Sequence, residues 1–289
     1  MSLSLLGSIL LDGFAYAMIL FMITIGLSMT MGLMRVVNLA HGAFAMLGGF
    51  LAALLPRWLG LDPLLAMAVA IVAVAVVALP LERWLIRRFY RRPEIDQMLV
   101  TIGVMFVAIA LCNIVFGSGL TPLALPDFLQ GSLAFGERTI PRHRVAVMVL
   151  GVVVLAVLWL AVDRSPFGIR VRAAVDNTAM ARAVGIDTSR IYAITFAVGA
   201  ALAALGGIAG AELLPMEPAY ASKYLVTFLA VVAVGGHGTL LGSFIAALML
   251  GMVDTTVKYL VPHLSSIAFF LTMFVVLAFR PQGLFGRHA

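Results

Sequence analysis

The chain has 289 residues, 63% of them hydrophobic and only 11% charged, with a formal net charge of +6 and a mean hydropathy of +1.12. Soluble domains carry about a quarter charged residues, and so few polar groups cannot cover the surface of a water-soluble fold of this length. All but two of the 19 basic residues are arginine, and their clusters flank apolar runs, which argues for a membrane boundary over a nucleic-acid surface.

Taken from the N-terminus, the apolar runs Ile9–Leu33, Leu64–Leu81, Gln97–Phe116, Val145–Val162 and Ile191–Leu214 approach or exceed the roughly 20 residues that cross a bilayer as a helix. The segment Arg35–His41 interrupts the first run before Gly42–Leu55 resumes it. Many of these runs are rich in Gly and Ala, which suits close helix packing in lipid. Strand-length alternating segments are not expected, so a β-barrel is disfavoured. The single Cys112 lies in an apolar run and reads as a buried, inert thiol. No cleavable signal is expected, since the first basic residue is Arg35, and the first span should stay in the protein with its N-terminus outside.

Arginine placement sets the expected topology. Arg83, Arg87, Arg88, Arg91 and Arg92 follow the third apolar run, Arg164, Arg170, Arg172, Arg182 and Arg190 fill a later loop, and Arg280 and Arg287 lie in the tail. The positive-inside rule places those three segments, and the C-terminus, in the cytoplasm. It leaves Gly117–Arg144 and Pro215–Lys223 outside, although Arg138, Arg142 and Arg144 run against the trend. Tyr224–Val234 has eleven residues, about 16 Å of helix, which is too short for a core of about 30 Å. It reads as a half-helix stopped by Gly235-Gly236. Leu240–Lys258 and Ser265–Phe279 complete the series. The fold class expected is an all-α polytopic membrane protein with eight or nine transmembrane segments, some broken or re-entrant, forming a single domain over residues 1–289.

A weak internal repeat relates the two halves. His41-Gly42 precedes Leu47–Leu54, His237-Gly238 precedes Leu241–Leu248, and six of the eight aligned positions in those segments are identical. Paired interrupted segments point to a transport site, because non-helical backbone at membrane depth survives only against protein or a water-filled path. Asn38, His41 and Gly42 in the first element, and Gly235, Gly236, His237 and Gly238 in the second, are therefore candidate translocation-path residues. Asn38 also reads as a helix cap, and His237 as a structural capping group. Glycines around a histidine permit close backbone approach and positive φ.

The loop 164–190 holds a further candidate. Asp176 through Ile186 reads as a short helix, with Asp176 or Asn177 as N-cap and Gly185 as the stop. Two turns are marginal alone in water, so the helix must pack on its own spans or on a partner, and Ala179, Ala181 and Ala183 favour close docking. Neither lysine lies in a phosphate-binding glycine loop. No helix-spaced His or carboxylate set suggests a metal, and no nucleophile has a matching base, so neither a cofactor nor an enzymatic activity is expected. Asp254 and Lys258, spaced i,i+4, should pair with each other near the outer end.

Asn38-Leu39-Ala40-His41-Gly42, the segment Gly235–Gly242, the loop from Gly168-Ile169-Arg170 to Ala183-Val184-Gly185-Ile186, and the tail Arg280-Pro281-Gln282-Gly283-Leu284-Phe285-Gly286 together resemble the LivH-type permease of branched-chain amino acid ABC importers. The resemblance covers nearly the whole chain in the expected order. It implies a multi-pass protein of the bacterial inner membrane. The implied partners are a second, LivM-like permease, two cytoplasmic ATPase subunits, a periplasmic solute-binding protein and membrane lipid, with no nucleic acid. It makes Asp176, Asn177, Ala181, Arg182, Ala183, Gly185 and Ile186 the ATPase-coupling residues, in a form that lacks the glutamate of the broader permease motif. A branched-chain amino acid is the implied solute. Related permeases carry urea, short amides or other small carboxylates, and an ion-coupled secondary transporter is a further alternative.

Overall fold

The computed structural model describes residues 3–34, 36–90, 92–135, 138–236 and 238–286. Its helices, in chain order, are α1 (Leu3–Met34), α2 (His41–Leu59), α3 (Pro63–Trp84), α4 (Glu94–Phe116), α5 (Arg142–Asp163), α6 (Pro166–Asp176), α7 (Thr178–Ala183), α8 (Thr188–Gly210), α9 (Tyr220–Lys223), α10 (Leu225–Gly235), α11 (Leu240–Leu260) and α12 (Ser265–Phe279). Among the described residues, eight helical stretches are long and apolar enough to cross a membrane, the last of them Pro262–Phe279. The expected half-helix is α10, at eleven residues.

Local chemistry sets where these helices begin and end. Asp62 caps α3 by accepting from the Leu64 and Leu65 amides, with Pro63 in the first turn, where its missing N–H costs nothing. Gly60 ends α2 in a left-handed conformation, the usual glycine stop. α1 is apolar all round, and Ala17 through Ile23 are fully buried. A helix of that kind belongs at the centre of a bundle. α8 lies against it through small residues: Gly26 and Gly199 approach so closely that a Cβ on Gly26 has no room, the packing expected where lipid supplies no hydrophobic drive between helices. α3, α4, α5 and α12 form the perimeter and expose Val72, Val107, Ile114, Val149, Val157 and Phe274, side chains suited to lipid.

One end of the bundle is basic. There the C-terminus of α3 meets the start of α8 through an Arg87 hydrogen bond to the Ser189 carbonyl, and the chain tail meets the end of α10. Three features differ from the sequence expectation. The loop after α4 contains an antiparallel hairpin, β1 (Ser132–Phe135) with β2 (Arg138–Pro141), in register Leu133 to Ile140, where no strand was expected. The loop 164–190 folds into two helices, α6 and α7, rather than one. The segment 215–223 is not simply an outer loop: it turns into the bundle, where Tyr220 and Ala221 are fully buried. The repeated segments do fall on helices, α2 and α11, in different surroundings: Phe50 stacks on Phe116, and Phe244 meets Phe21 edge to face. Cys112 is buried in the core. Asp254 and Lys258 pair at 2.7 Å.

Candidate functional site

Between α1 and α2 the chain runs non-helically through the protein interior, and Val36, Asn38, Leu39, Ala40 and His41 are all buried. Its backbone polar groups need partners there, and α4 supplies them. The Val37 amide donates to Gln97 Oε1 at 3.2 Å, the Leu39 amide donates to Thr101 Oγ1 at 3.1 Å, and Gln97 Nε2 donates in turn to the Phe89 and Arg92 carbonyls. Asn38 Oδ1 accepts from the Ala40 amide at 3.1 Å, so it closes the turn ahead of α2 while Ala40 holds the cap position. Among the described residues Asn38 Nδ2 and both ring nitrogens of His41 are buried with no partner at normal hydrogen-bonding geometry. The His41 ring lies beside the Ile23 backbone and edge to face with Phe44. Gly42 sits against the backbone of Ala221, 3.1 Å from where its Cβ would be to the carbonyl oxygen.

The second element does different work. α10 stops at Gly235, and Gly236 takes φ +88. The tail docks on this helix end: the Leu284 amide donates to the Val234 carbonyl at 2.7 Å, and the Phe285 amide donates to the Gly235 carbonyl at 3.3 Å. These bonds satisfy carbonyls that a helix C-terminus leaves open. Gly238, at φ +75, packs on Gly32 of α1 and donates its amide to Ser28 Oγ. His237 lies outside the described residues. The two interrupted elements both meet α1, the first near Ile23 and the second at Ser28 and Gly32, but Asn38–Gly42 is brought against α9. The chain feature that faces the first element is therefore α9, through Ala221 against Gly42, a segment that runs from Tyr220 to the Tyr224 cap of α10 and that sequence reasoning passed over. The available signal was a pair of tyrosines at helical spacing just ahead of a helix too short to span.

The loop helix α7 is capped as expected. Asn177, not Asp176, is the N-cap and accepts from the Met180 amide at 2.9 Å. Gly185 has φ +87, and the bonds Gly185 N–H to Arg182 C=O and Ile186 N–H to Ala181 C=O are the paired bonds of a Schellman stop. Ala181 faces its own chain and is only 4% exposed. Arg182 Nε is tied to Thr188 Oγ1 at 2.8 Å. Ile186 packs beside Val171, Ala174 and Ile191. The outward face is Ala179, Met180, Ala183 and Val184, with Met180 62% and Val184 70% exposed. Sequence reasoning did not separate these two faces.

A polar network joins this loop to α3. Glu82 is fully buried, and Arg87 grips it with two bonds, of 3.1 and 2.8 Å. Tyr90 adds a third at 2.7 Å. The Glu82 bond holds the Arg87 guanidinium above its usual range, against the opposing effect of burial. Burial, and then the Glu82 bond, push the Tyr90 phenol up. The Tyr90 ring meets Tyr192. The Tyr192 hydroxyl donates to the Ala174 carbonyl and lies 3.3 Å from Thr178 Oγ1. Among the described residues no group of three or more His, Cys, Asp or Glu is placed to hold a metal ion.

Comparison with known proteins adds the family. The family described as branched-chain amino acid transport system, permease component, matches residues 9–277. The chain is 27% identical over 279 residues to BraD of Pseudomonas aeruginosa, a high-affinity branched-chain amino acid transport system permease protein, covering 92% of this chain and 91% of that one. It is 27% identical over 280 residues to LivH of Escherichia coli K12, with the same coverage. A probable LivH of Methanocaldococcus jannaschii is 26% identical over 255 residues, 84% of this chain and 78% of that one.

Proposed function

The chain belongs to the branched-chain amino acid transport system permease family, and we propose that it is the membrane-spanning subunit of an ABC importer for branched-chain amino acids. It works beside a second, LivM-like permease, with two ATPase subunits at the basic, cytoplasmic end and a periplasmic protein that delivers solute at the other. The chain supplies the path and the partner subunits hydrolyse ATP; neither of its lysines sits in a phosphate loop.

The observation that carries this reading beyond the family is the outward face of α7. Met180 and Val184 are exposed apolar side chains on a six-residue helix placed between α5 and α8 at the arginine-rich end. An apolar face rimmed by charge, on a short helix fixed at both ends, suits insertion into a cleft on another subunit. Asp176, Asn177 and Gly185 shape that helix, Ala183 belongs to its outward face, and Ala181, Arg182 and Ile186 anchor it from beneath. The network from Glu82 to Tyr192 ties it to α3 and α8, so displacement of α7 by an ATPase subunit reaches the spans directly.

Purification of the tagged chain from its native membrane tests the proposal. An ATPase pair and a second permease should co-purify, and leucine with its binding protein should stimulate ATP hydrolysis by the reconstituted complex. Isolation of the chain without any ATPase subunit, under conditions that keep other ABC importers intact, would sink it.

A further inference from the structure

We propose that the groove between α3 and α5 binds an anionic phospholipid of the outer leaflet, with an acyl chain along its walls and the phosphate at Arg142. The proposal needs only that the chain sits in a bilayer, so it and the importer reading can fail independently.

The groove lies in the half of the bundle away from the basic end. The C-terminus of α3 and the start of α8 meet at the basic end, and the groove is lined by the opposite ends of both. Leu64 to Ile71 come from the first turns of α3, and Leu205 to Ala209 from the last turns of α8. The other wall is the start of α5, from Arg142 to Val153. Between those two residues the helix rises about 16 Å, half of a hydrocarbon core of about 30 Å. The groove is thus one leaflet deep. It encloses about 850 Å³, within the roughly 300–1,000 Å³ of sites that hold a discrete ligand. Apart from Arg142 and His143, every lining side chain is apolar, so the body of the groove accepts hydrocarbon. A span of a partner subunit fits less well, because it would lie along all of α3 and α5 and would not stop at Ile71 and Val153.

Charge at the mouth selects the headgroup. Arg142 lines the groove and is exposed, and it is one of the arginines that run against the positive-inside trend. Its neighbour Arg144 is held by Asp12, and His143 lies 3.0 Å from Glu212. Among the described residues no carboxylate pairs with Arg142. A guanidinium above an apolar groove matches a lipid phosphate, which it can bind through two parallel N–H donors. The outer loop adds a second feature at the same place. Phe128 and Leu133 also line the groove, yet they are 60% and 41% exposed. Such side chains are costly in water and suit the boundary between headgroups and acyl chains.

The test reconstitutes the full chain, with the subunits that purify with it, in vesicles of about one part in ten phosphatidylglycerol, the rest phosphatidylcholine. Photoreactive benzoylphenylalanine replaces Val149 in the groove or Leu111 on the exposed side of α4, and the cross-linked species are identified by mass. Phosphatidylglycerol should form at least three times its bulk share of the adducts at Val149, and only its bulk share at Leu111. Arg142→Gln should return the Val149 adducts to the bulk share, whereas Arg142→Lys should keep the enrichment. Arg57→Gln removes an exposed arginine from the last turn of α2, outside the groove, and should leave the enrichment unchanged. Bulk-share adducts at Val149, enrichment that survives Arg142→Gln, or a cross-link to a protein subunit in place of lipid overturns the proposal. Loss of enrichment with Arg57→Gln overturns it too, since the effect is then one of general surface charge. If Arg142→Gln does not assemble, the comparison of Val149 with Leu111 decides alone.

Discussion

Tyr90 and Tyr192 meet edge to face, ring centroids 5.7 Å apart, and each hydroxyl is committed elsewhere, Tyr90 to Glu82 at the end of α3 and Tyr192 to the Ala174 carbonyl in α6. The pair is thus the joint between a span and the loop that carries α7. Edge-to-face aromatic pairs contribute about 0.5–1.5 kcal/mol beyond their buried area. Tyr192→Phe keeps the ring contact and removes the bonds to Ala174 and Thr178, while Tyr192→Ala removes everything. The ratio of leucine-stimulated to basal ATPase activity should fall about threefold for Tyr192→Phe and at least tenfold for Tyr192→Ala, with the complex still assembled. Equal ratios in wild type and Tyr192→Ala rule out a coupling role for this joint.

Glu82 and Arg87 should behave as a unit in stability. Removing one member of a buried pair costs about 3–5 kcal/mol, but the Arg87 side chain is 34% exposed, so solvent reduces that to roughly 1–3 kcal/mol. Arg87→Ala strands a buried carboxylate with only the Tyr90 hydroxyl against it. Glu82→Ala is milder, because Arg87 turns to solvent. The double variant should be more stable than the sum of the single losses predicts. Thermal unfolding of the four proteins in lipid nanodiscs checks this, and strict additivity contradicts the account.

The two faces of α7 predict two different phenotypes. Met180→Glu changes an exposed side chain on the outward face and should abolish stimulated ATPase activity while the melting temperature stays within about 2 °C of wild type, since exposed substitutions cost little. Ala181→Glu forces a charge beneath the helix, where Ala181 is buried, and should lower folding stability by several kcal/mol. Gly185→Val places a β-branched residue at φ +87 and should resemble Ala181→Glu rather than Met180→Glu. The melting curves alone separate the two classes.

The spans were legible because a bilayer demands some 20 apolar residues in a row, and that demand overrides finer sequence detail. The half-helix was legible for the same reason: eleven residues cannot cross. The caps Asn177 and Gly185 were legible because capping is local chemistry. What stayed hidden depends on contacts distant in sequence. In a six-residue helix made of Thr178-Ala179-Met180-Ala181-Arg182-Ala183, small residues lie on every side, so no periodicity tells the buried Ala181 from the exposed Ala179. The resemblance between segments suggests pairing Asn38–Gly42 with Gly235–Gly238, yet the fold puts Ala221 of α9 there, ahead of α10 rather than at its end. The hairpin 132–141 lacks a long alternating pattern and rests on four-residue strands.

The tail motif makes the last prediction. Arg280-Pro281-Gln282-Gly283 turns the chain, with the Gly283 amide donating to the Arg280 carbonyl at 2.9 Å. Gly283 has φ +81, and a Cβ there would come within 2.6 Å of the Ala233 carbonyl oxygen and of the Gly236 amide nitrogen. Leu284 and Phe285 can reach the Val234 and Gly235 carbonyls only through this turn. Gly283→Val should therefore undock the tail, leaving the Val234 carbonyl without its partner and the Gly235 carbonyl with the Thr239 hydroxyl at 3.3 Å, and the unpartnered carbonyl costs about 1–3 kcal/mol where it stays buried. Removal of residues 283–289 should cause the same loss without any clash, which separates missing bonds from steric strain. Gly103→Ala in α4 is the control: nothing lies within 4 Å of its Cβ position, and helix propensity favours alanine by about 1 kcal/mol. Thermal unfolding in nanodiscs should rank Gly103→Ala at or above wild type, with the truncated chain and Gly283→Val both clearly below. The truncated chain should also gain a protease-sensitive site near Gly236–Thr239, because Gly236 then loses the packing of Phe285 and Gly286 against it. A truncated chain that melts and resists protease like wild type would mean that the tail contributes nothing to closing α10.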